Sequence, residues 1–297
     1  MKLGVVVLNY NDYKTTEKCV EILKGLKSLD HIVVVDNHSP NDSFSKLESA
    51  NDGTWDLIQT DKNKGYAFGN NAGAAYLLKR YNLDIIGIVN PDIILNNDCI
   101  DKVKAAFSDH QEYSIITGVQ LNPKGETAKR AFWEELDFIR LLVNMSAVLS
   151  KLQSKIKGGY VKNKLRGEKD LFEVATVEGC CFFVKVADWV KIGGFDEGTF
   201  LFFEEDILTQ KIKKLGKKTG ICPDAFFIHN HSTTINKALN YFRRNSVLQT
   251  SRKYYFYKYL QPGFVQKIAF KIFSLLTLGE QIFIVYPYLR YFKKDGY

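Results

Sequence analysis

With 297 residues, 45% hydrophobic and 25% charged, the chain is long enough for one large domain or two modest ones, and its composition excludes intrinsic disorder. The formal charge of +8 is uneven: residues 237–297 hold 11 lysines and arginines against two acids, which leaves the preceding residues at −1. A duplex-DNA binder spreads its positive charge more widely, so no nucleic-acid partner is expected.

The N-terminal run Met1 to Tyr10 has one basic residue and too short an apolar core for a secretory signal, and reads as a first strand of a cytoplasmic protein. That strand ends at Asn9-Tyr10-Asn11. Helical spacing of Cys19, Val20, Ile22, Leu23 and Leu26 predicts a helix over 15–27, and His31 to Asp36 is a second apolar strand that ends on an acid. Two strands joined by a helix make a βαβ unit and a parallel sheet. Trp55 to Gln59 reads as a short third strand. The Gly/Asn-rich stretch Asn63 to Gly73 reads as a loop before a helix over 74–81, with Gly65, Gly69 and Gly73 letting backbone approach an anionic ligand such as a diphosphate. Neither a G-x-G-x-x-G fingerprint nor a P-loop is present, so nucleotide binding would rest on acids and a metal.

The run Asp84 to Val89 is a core strand that stops on Asn90-Pro91-Asp92. Ligands of α/β sheets gather beyond the carboxyl ends of the strands, which puts Asp92 at the mouth of a site. A helix over 99–107, a strand over 114–119 and a long amphipathic helix over 136–157 follow, then a basic loop over 157–169. Glu204-Glu205-Asp206 open a helix behind Phe202-Phe203. Three acids there complement the helix dipole, and beside aromatic rings one of them can be a partly desolvated base with a raised pKa. His229 and His231 alternate with apolar neighbours at strand period, so both can face one side, as metal or diphosphate contacts. Five cysteines, with Cys180 and Cys181 adjacent, suit neither a disulfide framework nor a zinc site by their spacing, and read as free thiols.

Taken in order, Val35-Asp36-Asn37-x-Ser39, the Asn63 to Gly73 stretch, Asn90-Pro91-Asp92, Gly193-Gly194-Phe195-Asp196-Glu197, Phe203-Glu204-Glu205 and His229-x-His231-Ser232 resemble the motifs of family 2 glycosyltransferases, in the bacterial rhamnosyltransferase-like group that builds surface polysaccharides. The resemblance covers roughly residues 1–235. It implies a GT-A fold, a Rossmann-like α/β architecture with a mixed central sheet, divided into a nucleotide-sugar-binding half (1–95) and an acceptor or catalytic half (96–235). It further implies that Asp36 contacts the base with Asn9 nearby, and that Asn37, Asn63, Gly65, Asn71 and Asn90 line the nucleotide-sugar site. Asp92, with His229 or His231, would hold Mg²⁺ or Mn²⁺. Asn90 departs from the family's acidic D-x-D pattern, and Ile207 replaces the second acid of its E-D-x-D-L motif. Glu205 takes the place of the general base, with Glu204 and Asp206 as neighbours that can share the role.

The implied reaction is inverting transfer of a sugar from dTDP-rhamnose or a UDP-hexose to a lipid-linked or polysaccharide acceptor. Two rivals are a sugar nucleotidyltransferase, whose N-terminal glycine-rich loop is missing from residues 4–14, and an inactive nucleotide-sugar sensor or scaffold. Beyond the resemblance, residues 236–297 form a helical, aromatic and basic extension. Lys267, Lys271, Ser274, Thr277 and Gln281 make one narrow polar stripe over 264–286. With Lys271 and Glu280 interrupting the apolar run, the segment is expected to lie in the plane of an anionic membrane, peripheral on the inner face. The alternative is docking on the catalytic domain or on a second subunit, as in a homodimer.

Overall fold

The computed structural model of the chain describes residues 1–128, 131–156, 170–230 and 241–287. Strands β1 (Leu3–Asn9), β2 (His31–Asp36), β3 (Asp56–Gln59) and β4 (Ile85–Val89) alternate with helices Tyr13–Lys24, Ser43–Ala50 and Tyr66–Arg80. These four strands are parallel, in the order β3-β2-β1-β4. Parallel neighbours need crossover connections, so helices cover the sheet and the strands are apolar on both faces. All five residues of β4 are buried accordingly.

The second half of the sheet is built from β5 (Ile93–Ile94), β6 (Tyr113–Leu121), β8 (Phe172–Val174), β10 (Cys181–Lys185) and β11 (Lys218–His229), while β7 (Phe132–Trp133) pairs with β9 (Thr176–Val177) as a separate ribbon. The nine-stranded sheet continues β4-β10-β6-β11-β5, with β8 on β11. Strand β10 runs antiparallel to β4 and β6, and β11 runs parallel to β6 but antiparallel to β5 and β8, so the sheet is mixed. One face packs Val5, Val7, Leu23, Phe107 and Phe183, and the other packs Val6, Val35, Leu77, Ile88 and Trp189. Each fully buried side chain of this size contributes roughly 1.5–3 kcal/mol.

A third cluster joins the C-terminal region to this body. Helix Tyr241–Lys258 buries Tyr255 and Phe256 completely, among Leu136, Leu141, Phe203 and Ile207. The ring of Phe256 stacks on Phe270 at 4.1 Å, which seats the next helix, Phe264–Glu280. The C-terminal part of that helix's polar stripe faces inward, while Lys267 and Lys271 are exposed. Thr277 is buried, Ser274 is half-buried, and Glu280 accepts a hydrogen bond from the backbone N–H of Val148 at 2.8 Å. Phe264, Val265, Leu275 and Phe283 point to solvent. Phe264–Val285 is long and apolar enough to cross a membrane by length and composition, with a mean hydropathy of 1.7, even though Lys271 and Glu280 lie within it.

Three local expectations change. The Asn63 to Gly73 stretch is mostly helix, which begins at Tyr66 rather than at residue 74. Its glycines serve packing: a Cβ at Gly69 would stand 2.3 Å from Leu8, and one at Gly73 would stand 2.5 Å from Val6, so they let the helix lie close on β1. The long helix over 136–157 is two helices, Phe138–Met145 and Ala147–Ile156, broken where Ser146 is extended (φ −92°, ψ 127°). Tertiary packing overrides weak local propensity in the first case, and a backbone break that hydrophobic spacing does not register decides the second. The basic loop over 157–169 lies wholly outside the described residues, as does His231.

Candidate active site

The carboxyl ends of β1 and β2 meet in a buried polar network. Asn9 and Asp36 are both fully buried. Asn9 donates to Asp36 Oδ2 at 2.7 Å and accepts from the Thr16 hydroxyl at 2.8 Å. Asp36 Oδ1 also accepts from the Ser39 backbone N–H (2.9 Å) and from Gln59 Nε2 (3.1 Å). A buried carboxylate is tolerated only with such partners, so each of these polar residues fixes the next. Asn37 extends the wall, donating to Asn63 Oδ1 at 3.1 Å and to the Gly65 carbonyl at 3.0 Å. Gly65 has φ +105°, and a Cβ there would fall 2.0 Å from the carbonyl oxygen of Phe200, so only glycine closes this seam. Asn71 is elsewhere: it bonds the backbone of Phe195 in both directions and donates to Glu197 at 2.9 Å.

Beside this wall, the turn after β4 places the acid. Asn90 donates its backbone N–H to the Cys180 carbonyl (2.8 Å), and Asn230 donates to the Asp92 carbonyl (2.8 Å). Strand β5, immediately after Asp92, pairs with the end of β11, with Ile93 opposite His229. That register brings His229 Nε2 to 3.2 Å from Asp92 Oδ2, with both side chains about one-tenth exposed. The other ring nitrogen, Nδ1, lies 2.9 Å from Gln120 Nε2 on β6. Such a bond orients the ring and leaves Nε2 directed at the acid.

The three acids open the helix Glu204–Lys214, and their environments separate them. Phe202 (φ +74°) and Phe203 (φ +71°) are consecutive left-handed residues directly before Glu204. Each such bulky residue costs about 1–3 kcal/mol, so the surrounding structure must impose the turn. The C-terminal helix supplies that restraint: Ser251 donates to the Leu201 carbonyl at 2.7 Å, and the rings of Tyr255 and Phe203 lie 5.5 Å apart. Glu204 is buried, and burial, with the neighbouring Glu205 charge second, pushes its carboxyl well above the usual range. Asp206 accepts a hydrogen bond from the Trp133 indole at 2.8 Å. Glu205 is half-buried and accepts from the Gly179 backbone N–H at 3.2 Å.

A residue that the sequence reading passed over ties the two sides together. The Tyr66 hydroxyl bonds the Gly179 carbonyl at 2.7 Å and reaches Asn90 Oδ1 at 3.2 Å, so it touches both the loop that holds Glu205 and the motif that holds Asp92. Burial, followed by the Glu205 charge, keeps this phenol well above its ordinary pKa and therefore neutral. Its signal was its place inside the Gly/Asn-rich stretch. Gln120 had no signal beyond being a polar residue in an apolar strand.

The donor set fits in part the divalent cation that the resemblance implies: the Asp92 carboxylate suits Mg²⁺ or Mn²⁺, and the imidazole beside it favours Mn²⁺ over the oxygen-preferring Mg²⁺.

Comparison with known proteins gives a consistent picture. The family model described as Glycosyl transferase family 2 matches residues 4–185. The chain is 25% identical over 230 residues to the low-salt glycan biosynthesis hexosyltransferase Agl10 of Haloferax volcanii, covering 77% of this chain and 67% of that protein. It is 23% identical over 202 residues to rhamnosyltransferase WbbL of Escherichia coli K12, covering 64% and 71%. Among solved structures, Staphylococcus aureus TarS 1–349 in complex with UDP aligns with a TM-score of 0.52 at 13% identity, over 100% of this chain and 74% of that one. The mannosyltransferase PcManGT of Pyrobaculum calidifontis, with GDP-Man and Mn²⁺, aligns at 0.51 and 13%, over 95% and 75%. The fold these structures share is GT-A, in agreement with the mixed sheet seen here.

Proposed function

The chain belongs to glycosyl transferase family 2, and from that premise we propose that it is an inverting, metal-dependent transferase that moves a sugar from dTDP-rhamnose or a UDP-hexose to a hydroxyl of a lipid-linked or polysaccharide acceptor in surface-glycan synthesis. The observation that carries this reading is the pairing of Asp92 with His229 at the sheet's carboxyl edge, with Glu205 held on the neighbouring Gly179 loop. In this reading Asn9, Asp36, Asn37, Asn63 and Gly65 form the wall against which the nucleoside lies, and Asn90 meets the donor beside Asp92. Asp92 and His229 would hold Mg²⁺ or Mn²⁺. When bound, such a cation neutralises the charge that grows on a leaving diphosphate.

Glu205 takes the proton of the acceptor hydroxyl. The acceptor oxygen forms a bond to the anomeric carbon as the bond from that carbon to the diphosphate oxygen breaks, and the nucleoside diphosphate leaves. One displacement inverts the anomeric centre. Tyr66 and Gly179 keep the base and the Asn90 turn in fixed relation, which converts bound donor and acceptor into an oriented pair. Asp206, engaged with Trp133, and Glu204, buried with its carboxyl pushed well above the usual range, serve the shape of the turn instead of proton transfer.

The outward apolar face of Phe264–Val285 supports a peripheral position on an anionic membrane on the cytoplasmic side, where a lipid-linked acceptor is at hand. Lys267 and Lys271 are exposed on the same helix and suit acidic headgroups. The test is turnover by the full chain with a panel of UDP-, dTDP- and GDP-sugars, Mg²⁺ or Mn²⁺, and lipid-linked acceptors. Release of nucleoside diphosphate that depends on both acceptor and cation is expected. Nucleotide-sugar binding without release under any pairing would favour the sensor reading.

A further inference from the structure

The spacing of the cysteines carries no zinc motif, yet the fold assembles a ligand set from distant segments. Glu178 and Cys180 come from the approach to β10, and His229 comes from the end of β11. One ligand atom from each lies within 4.8 Å of the other two. Cys180 and His229 are buried and Glu178 is half-buried, so the cluster is enclosed and not scattered over a surface. Strand β6 runs between β10 and β11, and its Gln120 touches both inner ligands: Nε2 lies 2.9 Å from His229 Nδ1, and Oε1 lies 3.8 Å from Cys180 Sγ.

A thiol, an imidazole and a carboxylate are a different donor set from the one that Mg²⁺ prefers. Mg²⁺ takes oxygen ligands in octahedral geometry, whereas sulfur with nitrogen and oxygen in a set of three or four suits zinc and its relatives. We propose that Glu178, Cys180 and His229 form a site for a thiophilic divalent cation of the zinc class, which shares His229 with the Asp92 pair.

The Gln120 amide is suited to both states of such a site. As placed, it donates to His229 Nδ1 and accepts from the Cys180 thiol. Coordination replaces the thiol by a thiolate, whose proton passes to solvent, and leaves the imidazole neutral with its hydrogen on Nδ1. Half a turn of the amide then meets both needs: Oε1 accepts from His229 Nδ1–H and Nε2 donates to the thiolate. A glutamine carries both polarities at one end, so the one amide can re-pair both ligands. Coordination through Cys180 does not depend on the transferase reading. Only the consequence does: a zinc-class ion would compete with the donor's Mg²⁺ or Mn²⁺ for His229.

Cobalt(II) tests this because sulfur ligation gives a thiolate-to-cobalt charge-transfer band in the near ultraviolet. The full chain titrated with Co²⁺ alone should develop that band at one equivalent, and Zn²⁺ should abolish it. Cys180→Ser should lose the band. Cys222→Ser should keep it, although that thiol also sits beside a carboxylate, Asp224, at 3.1 Å. Gln120→Leu should weaken Co²⁺ binding by roughly 10- to 100-fold, the usual effect of removing a group that orients metal ligands. Should Cys180→Ser fail to fold, X-ray absorption on the zinc-loaded wild type answers the same question, with one sulfur neighbour expected. Absence of the band in wild type, its survival in Cys180→Ser, or a zinc shell without sulfur would overturn the proposal. Binding of Mn²⁺ with nucleoside diphosphate, measured separately, tests the Asp92 reading, so either idea can fail alone.

Discussion

Asn9 and Asp36 are polar and fully buried, whereas Phe264 and Phe283 are apolar and 78% and 79% exposed. The two regions invert the usual rule in opposite directions, and each inversion has its own compensation. At the strand ends, hydrogen bonds from Thr16, Ser39 and Gln59 satisfy the buried groups, so that network holds a geometry. On the outer helix no contact within the described residues covers those rings. An exposed apolar face of this length is of the kind that marks a protein or membrane contact. Under the proposed function, the first region would act on a ligand and the second would choose where that action takes place. Changes in one should therefore spare the other.

The largest expected effect is at the site. Asp92→Asn should lower transfer by about 10³-fold or more, roughly 4 kcal/mol of transition-state stabilisation, and leave vesicle binding intact. Asn90→Asp should retain transfer if, as proposed, Asp92 and not Asn90 holds the cation. Wild-type rates in Asp92→Asn would remove Asp92 from the assignment.

The acids give a sharper version of the same contrast. Glu205→Gln should cost about 10²- to 10⁴-fold in kcat, the range for loss of a general base. Glu204→Gln should stay close to wild type, since burial pushes that carboxyl well above its usual range and an amide copies the shape of its protonated form. If Glu204→Gln proves the more damaging of the two, the roles are reversed.

Much of this was legible in the chain because it rests on local rules. The apolar strands that end on Asn9, Asp36 and before Asp92 announce a parallel βαβ half, and β1, β2 and β4 are parallel neighbours. What the chain hid was contact between distant residues. Tyr66 looked like a spacer in a loop, and only folding brings its hydroxyl to Gly179 and Asn90. Cys180 looked inert, because its potential co-ligand His229 arrives from a strand two places away in the sheet. The polar stripe at Ser274 and Thr277 gave the right period but not its direction, which is set by Phe270 stacking on Phe256.

On the membrane side, Leu275→Glu with Phe283→Glu should reduce binding to anionic vesicles by about 10²- to 10⁴-fold, from two lost burials of roughly 1.5–3 kcal/mol each. Transfer to a soluble acceptor analogue should be unchanged. Sedimentation with vesicles and the soluble assay on one preparation read both, and equal vesicle binding by the double variant would point to a protein partner instead.

The smallest effect lies at the seam between the regions, where the C-terminal helix is fastened to the catalytic body. Asp196 accepts from Lys258 Nζ, the Tyr254 hydroxyl and the Gly198 N–H, each at 2.8 Å, and from the Tyr259 hydroxyl. Burial acts to raise this carboxyl, but the hydrogen bonds led by Lys258 outweigh it and hold the group well below its ordinary value. A carboxyl depressed in the folded state stabilises fully above its unfolded pKa of about 3.9, and that contribution is lost as pH falls through the folded value. Lys258 is half exposed, so solvent screens the pair and the gain is modest. Asp196→Asn should therefore lower Tm by a constant amount between about pH 6 and 8, and the gap should shrink as pH drops below about 4. A gap that stays constant down the acid limb would mean that Asp196 fastens the helix by shape and not by charge. Either way, transfer with a soluble acceptor should fall in step with the loosening of Phe202 and Phe203, because the helix that Asp196 holds is also the one that imposes their left-handed turn.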